Sequence, residues 1–466
     1  MTALQIGGGG SYNQGTYARR EMINLYPEMV EDPGRATTVV KKRQGTVSFS
    51  TVGTGPIRGM EQLNDTLYVV SGTTLYSVDA VGTETSIGDI PGTSRVGMAT
   101  NGAATRELLI VNGTVEGYLY DTVNGLVTIA DVDFPGGGVA HHLDTYFVIN
   151  QPDTQEFWIS ASDDGPSWVS TDFASKEGTP LDLVSLMPNH RDLVLFGKKT
   201  MEFWRNTGNA DFTFERQEGT FQERGCAARD SVASLDNTVY FLGDDRIVYR
   251  IDGQIPARVS NHFIERKLES YGDVSSATAF AFTQDGHYFY VLNINDDTWV
   301  YDATFSAQAG KHVWHQRRTG IGSGRWNAEN YIHIYNKHLV GDNSTGVIWQ
   351  IDPDTFTDDG NEIQRRLTLN PVPPTELNVS IPRIELELEA GTAASMVWLE
   401  ISRDGGSTWE NRMERSTGAI GDRDTPVTWK RNGRARGKNW ALSFNATDAD
   451  GGDWIEAYVT HGVGVG

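Results

Sequence analysis

Cysteine is almost missing from these 466 residues: Cys226 is the only one. An internal disulfide is therefore excluded, and folding in a reducing cytoplasm is expected. No stretch approaches the 18 apolar residues of a membrane span, so no membrane insertion of its own is expected. The opening MTALQIGGGG lacks the basic start and apolar core of a signal peptide. Long runs of Leu, Ala, Glu and Lys are missing too, which leaves little material for helix. Catalytic signatures are equally scarce. There is no G-x-S-x-G, no phosphate-binding glycine loop followed by Lys and Ser or Thr, and no H-E-x-x-H. His141 and His142 are adjacent in an expected strand, so they point to opposite faces and cannot share a metal. DPDTFTDDGNE from Asp352 places Phe356 at a ligand position and its glycine too late for an EF-hand, and DADGGD from Asp448 resembles a calcium loop only superficially. The expectation is a non-enzyme with no cofactor and no metal.

What is present is β-rich. Glycine is abundant (51 residues), with 12 Trp and 17 Tyr, the composition of strands joined by tight turns. Seven segments repeat one pattern: an apolar and aromatic run, a polar or glycine turn, then a second run carrying Tyr or Trp. They are LYVVSGTTLYSVD from Leu67, LLIVNGTVEGYLYD from Leu108, TYFVINQPDTQEFWIS from Thr145, LVLFGKKTMEFWR from Leu193, VYFLGDDRIVYRID from Val239, YFYVLNINDDTWVYD from Tyr288 and HLVGDNSTGVIWQID from His338. Their spacing of roughly 38 to 50 residues is the period of a four-stranded propeller blade. The last copy is short. Either a strand from the start of the repeat region completes it, or six blades close in place of seven.

Three regions follow. Residues 1–56 read as an extended N-terminal arm that holds assembly contacts, with one short helical turn around Arg19 to Leu25. Too little periodic apolar content is present for the arm to fold alone, so it lies along its own propeller or a neighbour. Residues 57–363 carry the propeller. Residues 364–466, which open on the proline-rich linker QRRLTLNPVPPTELNVS from Gln364, form a C-terminal antiparallel β-sandwich-like domain. The charge is uneven: +3 over residues 1–60, −23 over 61–363 and −2 over 364–466. An acidic propeller does not grip phosphate backbones, since non-specific nucleic-acid binding depends on Lys and Arg displacing counterions; it suits a surface past which DNA slides.

Two motifs stand out in the last region. Ser402, Asp404, Gly406, Thr408 and Trp409 spell the Asp-box S-x-D-x-G-x-T-W, with a degenerate copy at Asp163, Gly165, Ser167 and Trp168. In such a box the Asp and Ser bond the turn backbone while the Trp plugs the hairpin base, a structural role. TWKRNGRARGKNW holds Lys430, Arg431, Arg434, Arg436 and Lys438 between two tryptophans and is the densest basic cluster. Phosphate contact is one reading, and a salt-bridged subunit contact against the acidic propeller is the favoured one.

Three stretches together resemble one family. They are NLYPE (Asn24, Leu25, Tyr26, Pro27 and Glu28) with Pro33, Gly34 and GPIRGM, which contains Arg58; the LYVVSGTTLY hairpin; and DGGSTWENR followed by WKRNGRAR. Their order is similar to that of the packaged-DNA stabilisation proteins, the tail hub or nozzle proteins of short-tailed bacteriophages. The resemblance implies a structural virion protein of the tail, assembled in the host cytoplasm. It implies a homo-hexameric ring below the head-to-tail adaptor that retains packaged DNA, anchors a tail spike or fibre protein, meets a tail plug or needle and conducts double-stranded DNA at ejection. NLYPE, Arg58 and the four basic residues Lys430, Arg431, Arg434 and Arg436 are then the expected assembly contacts. A carbohydrate-binding or glycan-degrading propeller of a phage tail is the alternative. Its glycan-degrading form requires two carboxylates facing each other across a pocket at about 5 to 9.5 Å.

Overall fold

The computed structural model describes residues 2–4, 6, 10–13, 19–30, 38–371, 375–389, 395–410, 412–418, 426–449 and 451–463. Pro33 and Gly34 of the family-like stretch lie outside the described residues.

Each of the seven repeated hairpins forms the middle two strands of a four-stranded antiparallel sheet. In blade one, Ile57–Leu63, Thr66–Ser71, Thr74–Val78 and Glu84–Asp89 run from the axis outward. Six of the hairpins sit in free-standing four-stranded sheets of this kind. The seventh, from Tyr288, belongs to the four strands between Thr278 and Arg317 that open a ten-stranded sheet. Neighbouring blades touch in chain order, blade four meeting blade five through Leu183–Asn189 and Thr238–Leu242, and blade seven returns to blade one, so seven blades close the propeller. The alternation in the sequence explains the packing: Leu67 and Val69 face one neighbouring blade while Tyr68 and Val70 face the other.

Blade seven is completed from the front of the chain. Gly45–Thr51 supplies its outer strand, paired with Val347–Asp352. The segment expected to be arm therefore contains a propeller strand, and the boundary expected at residue 57 runs inside the closure. The physical reason is that a ring of sheets has one seam, and a strand from the far end of the sequence holds it shut against fraying.

The rest of the arm is also strand. Arg19–Ile23 replaces the expected helical turn and lies between Trp314–Arg317 of blade six and Arg365–Leu369. The register of Arg20 to Ile23 on Arg366 to Leu369 puts Met22 in the sandwich core, a neighbour that local propensity does not reveal. Arg365–Leu369 falls where a linker was expected. The ten-stranded sheet then continues through Ala441–Ala446 and Met396–Ser402 to Met413–Ser416. A facing seven-stranded sheet runs from Val427–Lys430 through Asn378–Leu388, Trp454–Val463 and Thr38–Lys42 to Leu25–Met29, with Thr2–Leu4 paired to Trp454–Val463. Between the two sheets lie Leu25, Val40, Leu367, Ile384, Trp429, Trp440, Phe444 and Trp454, all buried. Among the described residues helix is confined to His262–Ser270, Ala303–Ala309 and two short 3-10 turns.

Candidate functional site

NLYPE sits at the seam of propeller, arm and sandwich. Asn24 is fully buried with φ 55°, a left-handed conformation that Asn tolerates better than most residues. Its Oδ1 accepts from Arg43 Nε at 2.9 Å and from the Arg318 amide at 2.8 Å, while its Nδ2 donates to the Gln364 carbonyl at 2.8 Å. One side chain thus ties the arm to blade six and to the first residues of the sandwich. Leu25 and Pro27 are buried. Tyr26 packs edge-on to His287 and Phe289, and its hydroxyl donates to Asp285 at 3.3 Å. Burial beside Asp285 pushes the phenol far above its ordinary range. Glu28 pairs with Lys41 across the hairpin at 3.0 Å.

Arg43 is the centre of this seam, and the sequence reading did not single it out. Its guanidinium donates to Asp358 at 2.6 Å and to the carbonyls of Gln44 and Arg318, each at 2.9 Å. Asp358 belongs to the calcium-like loop: it also accepts from Thr46 Oγ1 and the Gly320 amide, while Asp352 accepts from the Asp354 amide at 2.9 Å in an Asx turn. Two of the loop's carboxylates, Asp352 and Asp358, are thus spent on the protein itself. A signal for Arg43 did exist, since KKR at 41–43 is a basic triplet in a chain poor in cations.

Arg58 is an internal brace. It is 3% exposed, and its guanidinium donates to the carbonyls of Ser94, Gly72, Ile90 and Pro91. That corrects its expected place among the assembly contacts: four carbonyls within one blade and its exit loop satisfy it. For Asn24, Leu25, Tyr26 and Pro27 burial gives the same correction.

The basic cluster is different. Lys430, Arg431 and Arg434 are exposed, and none forms an ion pair among the described residues. Arg436 and Lys438 share Glu376 at 3.4 and 2.6 Å. Lys430, Arg434 and Arg436 lie on Val427–Lys430 and Arg434–Arg436, which pair with Asn378–Leu388 along one edge of the sandwich, with Arg431 in the connection between the two strands and Lys438 in the 3-10 turn that follows. The tryptophans that frame the run, Trp429 and Trp440, are core residues.

The Asp-box forms as its chemistry requires. Asp404 Oδ1 accepts the amides of Ser407 and Thr408, each at 2.9 Å, and Oδ2 accepts Thr408 Oγ1 at 2.6 Å. Ser402 Oγ donates to Asp404 at 2.7 Å and accepts the Gly406 amide at 2.7 Å. These donors, the Thr408 hydroxyl first, hold the Asp404 carboxyl far below the usual carboxylate range. Trp409 is half-buried. In the degenerate copy Trp168 is 3% exposed and donates from Nε1 to the Gly165 carbonyl at 2.9 Å.

The propeller axis holds a cavity of about 270 Å3, walled by all seven innermost strands. Met60, Met98, Met187 and Phe280 supply apolar wall, and Arg95, Arg229, Asp230 and His141 supply charge or polarity. Arg229 Nη2 reaches the Arg95 carbonyl at 3.4 Å, and Arg95 Nη1 reaches the Ala279 carbonyl at 3.5 Å, so side chains cross the axis. Among the described residues Asp230 is the single carboxylate in the wall, and it is paired with Arg229 at 2.9 Å. The carboxylate pair that glycoside hydrolysis needs is therefore not in this wall. Cys226 is buried, its thiol pushed up to about 11 by burial, the opposite of what a nucleophile requires.

Comparison with known proteins finds two family models along the chain. Residues 2–356 match the model described as "Bacteriophage P22 Gp10, beta-propeller", and residues 368–449 match "Bacteriophage P22 Gp10, beta-sandwich". Among curated proteins no match is found. Among solved structures, BamB from Moraxella catarrhalis is similar at 11% identity, covering 75% of this chain and 96% of that one with a TM-score of 0.40. The WD40 propeller of Doa1 has 10% identity, 66% and 97% coverage and a TM-score of 0.42. Streptogramin B lyase has 9% identity, 71% and 98% coverage and a TM-score of 0.40. Likenesses this distant carry no argument about function.

Proposed function

Because the chain belongs to the family of bacteriophage P22 Gp10, a podovirus tail and DNA-stabilisation family, we propose that this phage tail structural protein is a subunit of the tail nozzle or hub. Six copies form a ring below the portal and its adaptor, retain packaged DNA, anchor spikes or fibres and conduct the duplex at ejection. Assembly takes place in the host cytoplasm before the ring joins the virion tail.

One observation supports the ring over a lone propeller as the conduit. The propeller's own axis is crossed by Arg95 and Arg229 and encloses only about 270 Å3, near the lower limit for a small-ligand site and far too little for a duplex. Any channel has to lie between subunits. The body around it carries 43 acidic against 20 basic residues over 61–363, a field that keeps a polyanion from sticking. Electron microscopy of the purified protein tests this reading: six-fold rings with an open lumen are expected, and a monomer without a central channel at every concentration overturns it.

A further inference from the structure

The acid is not spread evenly round the propeller. Residues 61–175, which make up nearly all of blades one to three, contain 16 Asp and Glu, no Lys, and two Arg, namely Arg95 and Arg106. Arg95 is turned into the axial cavity. Among the described residues none of the 16 carboxylates takes part in an ion pair, whereas blades four to seven carry many, such as Lys199 with Asp244 at 2.7 Å and Arg205 with Asp192 at 2.8 Å. The outer surface of blades one to three is thus an uncompensated negative sector. It also displays apolar side chains: Val81, Val115, Val123 and Val132 are each more than 75% exposed. Exposed valines set in a single-sign field fit a protein partner better than a sliding polyanion.

The opposite charge sits at the far end of the same molecule. The sandwich joins the propeller through blade six, where Arg19–Ile23 continues the sheet from Trp314–Arg317. In a ring of seven blades the position across the axis from blade six lies between blades two and three. Within the seven-stranded sheet, Leu25–Met29 is the edge that meets the propeller and Val427–Lys430 is the other edge. Lys430, Arg431 and Arg434, which have no carboxylate partner among the described residues, therefore stand on the side of the sandwich away from the body. A positive edge and a negative sector at opposite ends cannot neutralise each other within one copy.

Resting on the ring reading above, we infer that the Lys430–Arg434 edge of one subunit docks on the acidic face of blades one to three of the next copy of this chain, head to tail. Such a heterologous contact uses two different patches, leaves one of each free at every step, and is satisfied throughout only when the ring closes. Opposite charge fixes the register and speeds encounter, and the exposed valines supply the area that becomes dry.

A charge swap tests this. In one variant Lys430, Arg431 and Arg434 are changed to Glu; in the other Asp89, Asp164 and Asp172 are changed to Lys. All six positions are exposed or half-exposed, and an unchanged melting profile reports that each variant folds. Native mass spectrometry and electron microscopy at low salt are expected to show rings for the wild type, loss of rings for either variant alone, and rings again when the two are mixed. Mixing works because an alternating ring of even number satisfies every contact. Rings that persist in both variants alone overturn the inference and leave the nozzle reading standing. Intact rings accompanied by loss of duplex-DNA binding in the Glu variant overturn it in favour of a nucleic-acid contact. A wild type that never forms rings sinks the ring reading, and this inference with it.

Discussion

Arg43 and Asp358 meet at 2.6 Å with side-chain exposures of 1% and 7%, joining the arm to a loop more than 300 residues away. Both charges are out of water, so the pair is worth most when neither partner can be left alone. Changing Asp358 to Ala strands the guanidinium and is expected to cost about 3 to 5 kcal/mol, read as a lower urea midpoint. The paired change of Arg43 to Met and Asp358 to Leu is expected to cost clearly less. If the single and paired changes cost the same, the ion pair is not what holds the seam.

Arg317 is expected to depend on its volume more than on its charge. The guanidinium carbon lies 5.0 Å from the ring centres of Phe282 and Phe289 and 5.1 Å from that of Trp326. None of its three nitrogens has a hydrogen-bond partner among the described residues. Burial pushes its pKa down to about 9, so it is still charged at neutral pH. Cation–π attraction of about 2 kcal/mol per desolvated contact is set against a desolvation penalty of several kcal/mol. Arg317→Met is expected to stay within about 1.5 kcal/mol of wild type, and Arg317→Ala to lose about 3 to 5 kcal/mol through the cavity it leaves. Equal melting losses for Met and Ala would show that the charge on the rings is what matters.

Two groups on the innermost strands give opposite pH dependence. Burial raises Glu61 from its ordinary 4.5 to about 7, so the folded state favours the protonated acid and stability falls as pH rises from 4.5 to 7. Burial lowers His141 from 6.5 to about 4, so stability is full above 6.5 and falls as pH drops from there towards 4. Glu61→Gln is expected to raise stability at pH 8 by on the order of 2 kcal/mol and to change little at pH 4. His141→Gln is expected to matter only at the acid end. Melting curves across pH 4 to 8 decide it, and a Glu61→Gln gain that does not vary with pH counts against burial as the cause.

The Asp-box turn gives a local readout. Asp404→Ala is expected to remove hydrogen-exchange protection from the amides of Ser407 and Thr408, which its Oδ1 accepts, while the core strand Ala441–Ala446 stays protected. Loss of protection across the whole sandwich would make the box a folding nucleus in place of a surface clasp.

What could be read from the sequence was what is local. Each of the seven hairpins, from LYVVSGTTLYSVD to HLVGDNSTGVIWQID, announces itself by alternation around a polar turn, and each is the centre of a blade. The Asp-box was legible because its five hydrogen-bonding residues, Ser402 to Thr408, lie within seven positions. The partners of Gly45–Thr51 and Arg19–Ile23 were not, because they lie some 300 residues on and nothing in a strand's own pattern names its neighbour. The same distance hid the role of NLYPE. Asn24 and Tyr26 were expected among the assembly contacts because the family resemblance rests on NLYPE and the segment reads as arm, yet Gln364, Arg318 and Asp285 come round the ring to satisfy them.

Thr2–Leu4 pairs with Trp454–Val463, so the first of these strands waits for a partner made about 450 residues later. At translation rates of about 5 to 20 residues per second, that wait is roughly 20 to 90 s. A chain cut short before Trp454 never closes this sheet, and a ribosome that stalls late releases a molecule with an open edge. The pairing of these two strands therefore makes closure of this sheet a late step of folding.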